Sequence, residues 1–283
     1  MGLSLDDTPL FDPNLSAKQV GLGKSSNSEQ VIDNLSTNPA SIHLSEGLSI
    51  SGTQYQSINY SAISFVNKLG DHYLGLKYLG SSISTIERSY IEDDTEVYAI
   101  DTYVPYEFHS LTGAYANKFW VFTLGASLNY STIVLDDFNT SNLYYSVGLN
   151  ILPVKQFGIS ATISNIPISL SNNSALLKNN QITYYSAHYK LSRFTTAYIS
   201  SIENKNEIDS QSTLHVGLEQ YISKIIAVRM GLDHNRYTFG TGLYLNPFQV
   251  DIGWAQSKDA IIDDQIMVSF SYNFNPKNKL YRD

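Results

Sequence analysis

His215, Glu219, Arg229, Asp233 and Asp251 are the residues of this chain whose types and spacing offer chemistry. Each lies in a stretch where apolar residues recur at every second position, and each occupies one of the alternate positions. A strand would therefore place His215 and Glu219 on one face, with Arg229, Asp233 and Asp251 on the matching face of neighbouring strands. One imidazole, one guanidinium and three carboxylates so arranged can form a network of ions that avoid an apolar surrounding by pairing with one another, or a polar site that guides a substrate. Hydrolysis would need His215 beside a serine and an aspartate, and no histidine stands beside a serine on an apolar-facing position, so we expect no enzyme. No metal motif, phosphate loop or zincin signature occurs. Gly240-Thr241-Gly242 sits within a strand pattern rather than opening a helix, and we read it as structural. The acidic runs Glu92-Asp93-Asp94-Thr95-Glu96 and Asp136-Asp137 fit no calcium-loop spacing and read as solvated loop tips. No metal and no cofactor is expected.

The elements that must position these residues are strands. In Phe248-Gln-Val250-Asp-Ile252-Gly-Trp254 every even position is apolar and the odd ones are Gln249, Asp251 and Gly253. The same period of two runs through Phe122 to Tyr130, Leu143 to Leu149, Phe157 to Ile163, Ile226 to Leu232 and Ile266 to Phe274, and helical periodicity is absent there. The spacing predicts fourteen strands of about ten residues, near 44–53, 57–67, 72–81, 104–115, 119–130, 142–152, 156–166, 181–190, 193–202, 212–221, 224–234, 236–245, 248–257 and 265–275, the length a tilted strand needs to cross a hydrocarbon core. Short connections at Leu69-Gly70-Asp71, Asn117-Lys118, Pro153-Val154, Leu191-Ser192, Ser223 and Asn246-Pro247 alternate with longer ones around 82–103, 131–141, 167–180, 203–211 and 258–264.

This sorting of connections by parity is the mark of a transmembrane, antiparallel, up-and-down β-barrel with short turns on the periplasmic side and long loops outside. An even strand number would put both chain ends on the periplasmic side. A soluble β-sandwich also alternates, but it has no reason to sort its loops and would carry bulky residues on both inner faces. Here the non-apolar face is Gly, Ser, Thr, Asn, Asp and Gln. Trp120, Tyr130, Phe157, Tyr221, Phe248, Trp254 and Phe274, near strand ends, suit interfacial girdles.

Composition agrees. Tyr (21) and Phe (12) dominate the aromatics, and charged residues make up 16%, below the roughly 25% of soluble domains. A mean hydropathy of -0.16 decides nothing, because the two faces of a membrane strand average out. No apolar run is long enough for a membrane-spanning helix. A net charge of -8 from 18 basic and 26 acidic residues excludes nucleic acid as a partner. The absence of cysteine excludes disulfides and thiolate metal sites. The first residues, Met1 to Asp7, have neither a basic start nor an apolar core, and we read the chain as a mature form.

Residues 1–43 lack strand alternation. They contain a short helical pattern at Ser28 to Leu35 and end in Asn38-Pro39-Ala40-Ser41, where Asn-Pro would stop a helix. The order Ala17-Lys-Gln-Val-Gly-Leu-Gly23, then Asp33, then Asn38-Pro39-Ala40 just before the first strand resembles the FadL-like superfamily of outer-membrane barrels, in particular its PorV/PorQ-related members. Gly231-Leu-Asp233, Thr238-Phe-Gly240-Thr-Gly242, Val250-Asp251-Ile252 and Ser269 to Phe274 are similar to the closing strands of that family. The resemblance implies that residues 1–43 form a periplasmic or luminal plug, with Asp33, Asn38, Pro39 and Ala40 as its motif. Independently, some fourteen strands enclose a lumen too wide for wall side chains to fill. The barrel would occupy 44–275 and a short periplasmic tail 276–283. Val268, Phe270, Tyr272 and Phe274 look like the terminal signal read by the barrel-assembly machinery.

The resemblance further implies a bacterial outer-membrane location, contact with outer-membrane lipid and one of two roles. In the first, a plugged barrel serves as a structural or secretion-accessory protein with a protein partner in an envelope complex. In the second, the barrel is a passive transporter of small hydrophobic molecules. The accessory role stands first, because residues 1–43 show no apolar pocket pattern.

Overall fold

The structure is a computed structural model in which residues 16–26, 32–55, 58–92, 97–135, 138–168, 181–205, 210–234, 236–258 and 264–275 are described. A short helix α1 (Ala17–Gly21) and two 3₁₀ turns (Ile32–Leu35 and Pro39–Leu44) precede fourteen strands. These are β1 (Gly47–Tyr55), β2 (Ile58–Leu69), β3 (His72–Glu92), β4 (Val97–Phe119), β5 (Phe122–Leu135), β6 (Phe138–Val154), β7 (Phe157–Pro167), β8 (Gln181–Lys190), β9 (Thr195–Lys205), β10 (Ser210–Tyr221), β11 (Ile226–Asp233), β12 (Arg236–Leu245), β13 (Phe248–Ser257) and β14 (Gln265–Asn273). Each pairs antiparallel with its sequence neighbours, and β1 pairs with β14 through registers such as Ile50 with Phe270, so the sheet closes into a barrel without edges.

The distribution of side chains inverts that of a water-soluble domain. Along β3, Leu74, Leu76 and Tyr78 are exposed while Lys77 between them is 2% exposed. Along β5 and β14 the same alternation exposes Leu124, Leu128 and Tyr130, and Val268, Phe270 and Tyr272, and buries Ser127, Asn129 and Ser269. Phe274 follows on the exposed face. A wall that turns leucine and phenylalanine outward and serine, asparagine and lysine inward is stable only where its outside meets hydrocarbon. No described helix is long and apolar enough to cross a membrane; crossing is left to the strands.

Several boundaries differ from the sequence expectation. The first strand starts at Gly47 rather than at 44, because Pro39–Leu44 closes as a 3₁₀ turn with Pro39 in its first turn. The helical pattern at 28–35 is realised only as the turn Ile32–Leu35, and residues 27–31 lie outside the described ones. The long connection expected at 82–103 is mostly strand: β3 and β4 stay paired from Ile83 with Tyr106 to Glu92 with Val97, with two register shifts. Likewise β5 and β6 stay paired as far as Leu135 with Phe138. The residues of these extensions, such as Ser84-Thr85-Ile86-Glu87-Arg88, lack the alternation by which a strand is read, so their pairing leaves no period of two in the sequence. Asp93 to Glu96, Asp136 and Asp137 lie outside the described residues, as do 1–15 and 276–283. Of the expected girdle aromatics, Tyr221 is buried and faces inward against Tyr244, with ring centroids 5.5 Å apart. Trp120, at 86% exposure, sits in the β4–β5 turn.

Candidate functional site in the barrel interior

The N-terminal elements lie against the inward side of the wall. α1 contacts β11 to β14, and the two 3₁₀ turns contact β1 to β6, across the barrel. α1 begins where the Ser16 Oγ accepts the Gln19 N–H at 3.2 Å. It reverses at Gly23, whose φ of 61° favours glycine and whose position leaves no room for a Cβ beside the Leu232 backbone.

The wall receives this segment through glycines. On β10 to β13 the inward positions include Gly217, Gly231, Gly240 and Gly253, paired in register as Gly217 with Gly231 and Gly240 with Gly253. A Cβ on Gly240 would stand 3.0 Å from the Gly21 Cα, and one on Gly231 2.6 Å from the Leu22 carbonyl carbon. A Cβ on Gly253 would overlap the Ala17 carbonyl oxygen. Across the barrel, a Cβ on Gly125 would collide with the backbone of Pro39 and Ala40, and one on Gly148 would approach the Asn38 Oδ1 to 2.8 Å. Pro39 and Ala40 therefore rest backbone to backbone on β5, and Asn38 meets β6 through its side chain. Gly240-Thr-Gly242, read from sequence as structural, supplies part of this seat.

The five charged residues singled out by spacing are placed on the inward face, but in two clusters. Arg229, with its side chain fully buried, is the hub of the first. Its Nε donates to the Glu219 Oε2 at 2.6 Å, its Nη2 to the Tyr244 hydroxyl at 2.6 Å, and its Nη1 lies 2.8 Å from the Asp251 Oδ1. Lys18 of α1 reaches the Glu219 Oε2 at 3.5 Å, and Gln249 donates to the Asp251 Oδ2 at 2.6 Å. Two cations and two carboxylates thus neutralise one another where water is scarce, as buried ions must. The second cluster is His215 and Asp233. The His215 Nδ1 lies 3.1 Å from the Asp233 Oδ1 and 3.0 Å from the Gly23 carbonyl oxygen, Thr213 Oγ1 lies 2.8 Å from Nε2, and Lys24 reaches the Asp233 Oδ2 at 3.5 Å. Each cluster joins a cation or carbonyl of the N-terminal segment to a wall carboxylate or imidazole.

Spacing did not single out Lys18, Lys77 or Tyr244. Lys77 donates to the Asp33 carbonyl oxygen at 3.0 Å, and the Asp33 Oδ2 accepts from Ser49 at 3.1 Å, which fixes the first 3₁₀ turn to β1 and β3. Burial pushes the Asp33 carboxyl up, against the opposing pull of Lys77, Ser64 and Ser49. Lys77 carried a signal in its strand parity. Lys18 carried none, because α1 has no strand period.

His43, at the end of the second 3₁₀ turn, donates from Nδ1 to the Ala40 carbonyl oxygen at 2.7 Å and meets the Tyr73 ring edge-on. Burial lowers its pKa to about 4, and the nearby Lys118 acts in the same direction. The seated segment therefore keeps His43 neutral, whereas the released segment binds a proton below about 6.5. Seating should weaken as pH falls from about 6.5 towards 4, by up to about 3 kcal/mol. Amide hydrogen exchange across residues 39–44, corrected for its intrinsic pH dependence, should quicken over that window, and His43→Gln should flatten the profile. An unchanged profile in the variant would show that His43 is not responsible.

The inner wall is not uniformly polar. Near the short turns Ile32, Leu35 and Ile42 pack on Val66, Tyr73, Ala114 and Ala116. Above the level of Lys77 and Thr112, towards the far ends of β2 to β5, Ala62, Leu79, Tyr106, Phe108 and Ile133 form a second apolar cluster, with Ile83 and Leu135 against it. Among the described residues this cluster is made by the wall. Outside the barrel, the small residues Ala161 and Ala187 leave a depression of about 420 Å³ between Leu149, Ile159, Tyr185 and Ile199. These side chains face outward, so the depression is no part of the lumen.

No family model and no curated protein matches the sequence. Solved structures do match the fold. The toluene transporter TbuX of Ralstonia pickettii superposes with a TM-score of 0.68 at 10% identity, covering 94% of this chain and 100% of its own. The toluene transporter TodX of Pseudomonas putida gives 0.62 at 11% identity, over 90% of this chain and 97% of its own. A FadL homologue of Pseudomonas aeruginosa gives 0.58 at 9% identity, over 92% and 98%. The fold of this chain is that of the FadL-like outer-membrane barrels.

Proposed function

We propose that this barrel is a passive channel for small hydrophobic molecules in a bacterial outer membrane, with the segment around residues 16–44 as its internal plug. The observation that carries this reading is the inward-facing cluster of Leu79, Tyr106, Phe108 and Ile133. An inner wall serving only as a spacer has no use for an apolar patch beside water, whereas a hydrophobic solute entering from the loop side needs one. Two of the matching structures are named as toluene transporters, which supports the transport role over the accessory role placed first on sequence grounds. The apolar surface that this reading needs is offered by β2 to β5.

The test is binding and passage of a monoaromatic hydrocarbon by purified protein in liposomes, with and without Phe108→Asp and Ile133→Asn. Burying a side chain of this size is worth about 1.5–3 kcal/mol, so the double variant should bind at least about tenfold more weakly while its barrel remains folded. Equal binding by wild type and variant, or impermeable wild-type vesicles, would return the accessory role to first place.

A further inference from the structure

The turns at the short-connection end share a composition that the channel reading does not use. Lys68 precedes Leu69, Lys118 precedes Phe119 and Trp120, Val154 precedes Lys155, Lys190 precedes Leu191, and Lys224 stands between Ile222 and Ile225. Leu69, Phe119, Trp120, Val154, Leu191 and Ile222 are all more than half exposed. Arg193, in the β8–β9 turn, lies over the Phe194 ring at 4.6 Å, whereas Lys68 lies over the inward-facing Tyr73 ring at 5.5 Å, at the mouth of the lumen. Five of the six turns at this end thus join a bulky apolar tip to a basic head. The connections of the opposite end are mixed in sign, with the acidic runs Asp93-Asp94-Thr95-Glu96 and Asp136-Asp137 in the sequence and Lys205, Arg236 and Lys258 at strand ends.

We propose that this basic rim is a docking surface for the anionic headgroups of the lipid leaflet at the turn end. The apolar tips continue the exposed lipid-facing wall, so the rim lies where hydrocarbon gives way to headgroups. At that depth lysine and arginine can lay their stems along the apolar surface and hold their charge at the level of the phosphates. Near an anionic membrane surface each such residue favours the charged lipid by about fivefold at low ionic strength. Sign and position both select a lipid phosphate bearing net negative charge; zwitterionic headgroups would lose the electrostatic part of the gain.

The test is the composition of the boundary lipid around the full-length protein, read with spin-labelled phosphatidylglycerol and spin-labelled phosphatidylcholine. At low ionic strength phosphatidylglycerol should be preferred in the motionally restricted shell by about fivefold. Molar salt should reduce the preference to near unity. A variant with Lys68, Lys118, Lys155, Lys190, Arg193 and Lys224 all changed to Gln should show none, while Lys205→Gln with Lys258→Gln, at the loop end, should keep it. Equal association of both lipids with the wild type, or a preference that survives molar salt or the sixfold change, overturns the proposal. The wild-type salt titration decides the matter even where the sixfold variant fails to fold.

Discussion

Arg229→Met is expected to release residues 16–26 from the wall. Methionine matches much of the volume of the arginine stem but leaves Glu219 and Asp251 buried side by side without the guanidinium that bonds both. Removing one partner from a buried ion group costs about 3–5 kcal/mol, because the charges left behind are uncompensated. Lys18 remains at 3.5 Å from Glu219, but it is the attachment point of α1 and cannot neutralise both carboxylates. Two relaxations are available: the barrel can loosen at β10 to β13, or the carboxylates can reach water by expelling α1. The wall is held by continuous strand pairing, whereas α1 is held by ion pairs, single hydrogen bonds and van der Waals seating, so the second route is favoured. Protease cleavage within 16–26 should therefore accelerate by at least about a hundredfold, the lower end of that free-energy range, and conductance across a planar bilayer should rise. Restoring electroneutrality with Asp251→Asn in the same chain, which leaves Lys18 paired with Glu219, should recover most of the protection. Wild-type protection in the single variant would show that the cluster contributes nothing to seating the segment.

The wall was legible in the sequence because lipid on one side and a wet interior on the other impose a period of two. Phe248 to Trp254 and Ile266 to Phe274 display it without interruption. It failed at Ile83 to Glu92, where strand pairing persists but the contrast between faces does not. The same parity put His215, Glu219, Arg229, Asp233 and Asp251 on one side of the wall, yet parity has no measure of distance along the barrel. It could not show that His215 meets Asp233 while Glu219 meets Arg229, four residues away along β10. The partners supplied by the N-terminal segment were out of reach for a different reason. Lys18, Gly23 and Lys24 lie in a short helix and its reversal, whose docking is fixed by backbone contact rather than by any side-chain period. What the sequence did carry is the choice of Gly over Ser at positions 217, 231, 240 and 253, and that choice acquires meaning only once the approaching backbone is seen.

Gly253→Val should give the same release as Arg229→Met by steric means alone. Position 253 is an inward site of β13 paired with Gly240, and valine suits a strand, so the wall itself should form normally. The added Cβ would overlap the Ala17 carbonyl oxygen and stand 3.0 Å from the Gly21 amide nitrogen. Both are backbone atoms that cannot swing aside as a side chain would, and overpacking of this kind costs about 1–3 kcal/mol or more. Gly113→Val is the matched control, because a Cβ there meets nothing within 4 Å; it should leave stability and conductance unchanged or slightly improve the strand. The two routes to release also test each other. If Arg229→Met and Gly253→Val both act by unseating residues 16–26, the double variant should conduct no more than the stronger single variant, since a segment already displaced cannot be displaced again. Additive increases in conductance would instead mean that at least one substitution deforms the wall, and the proposal that residues 16–44 close the lumen would lose its support.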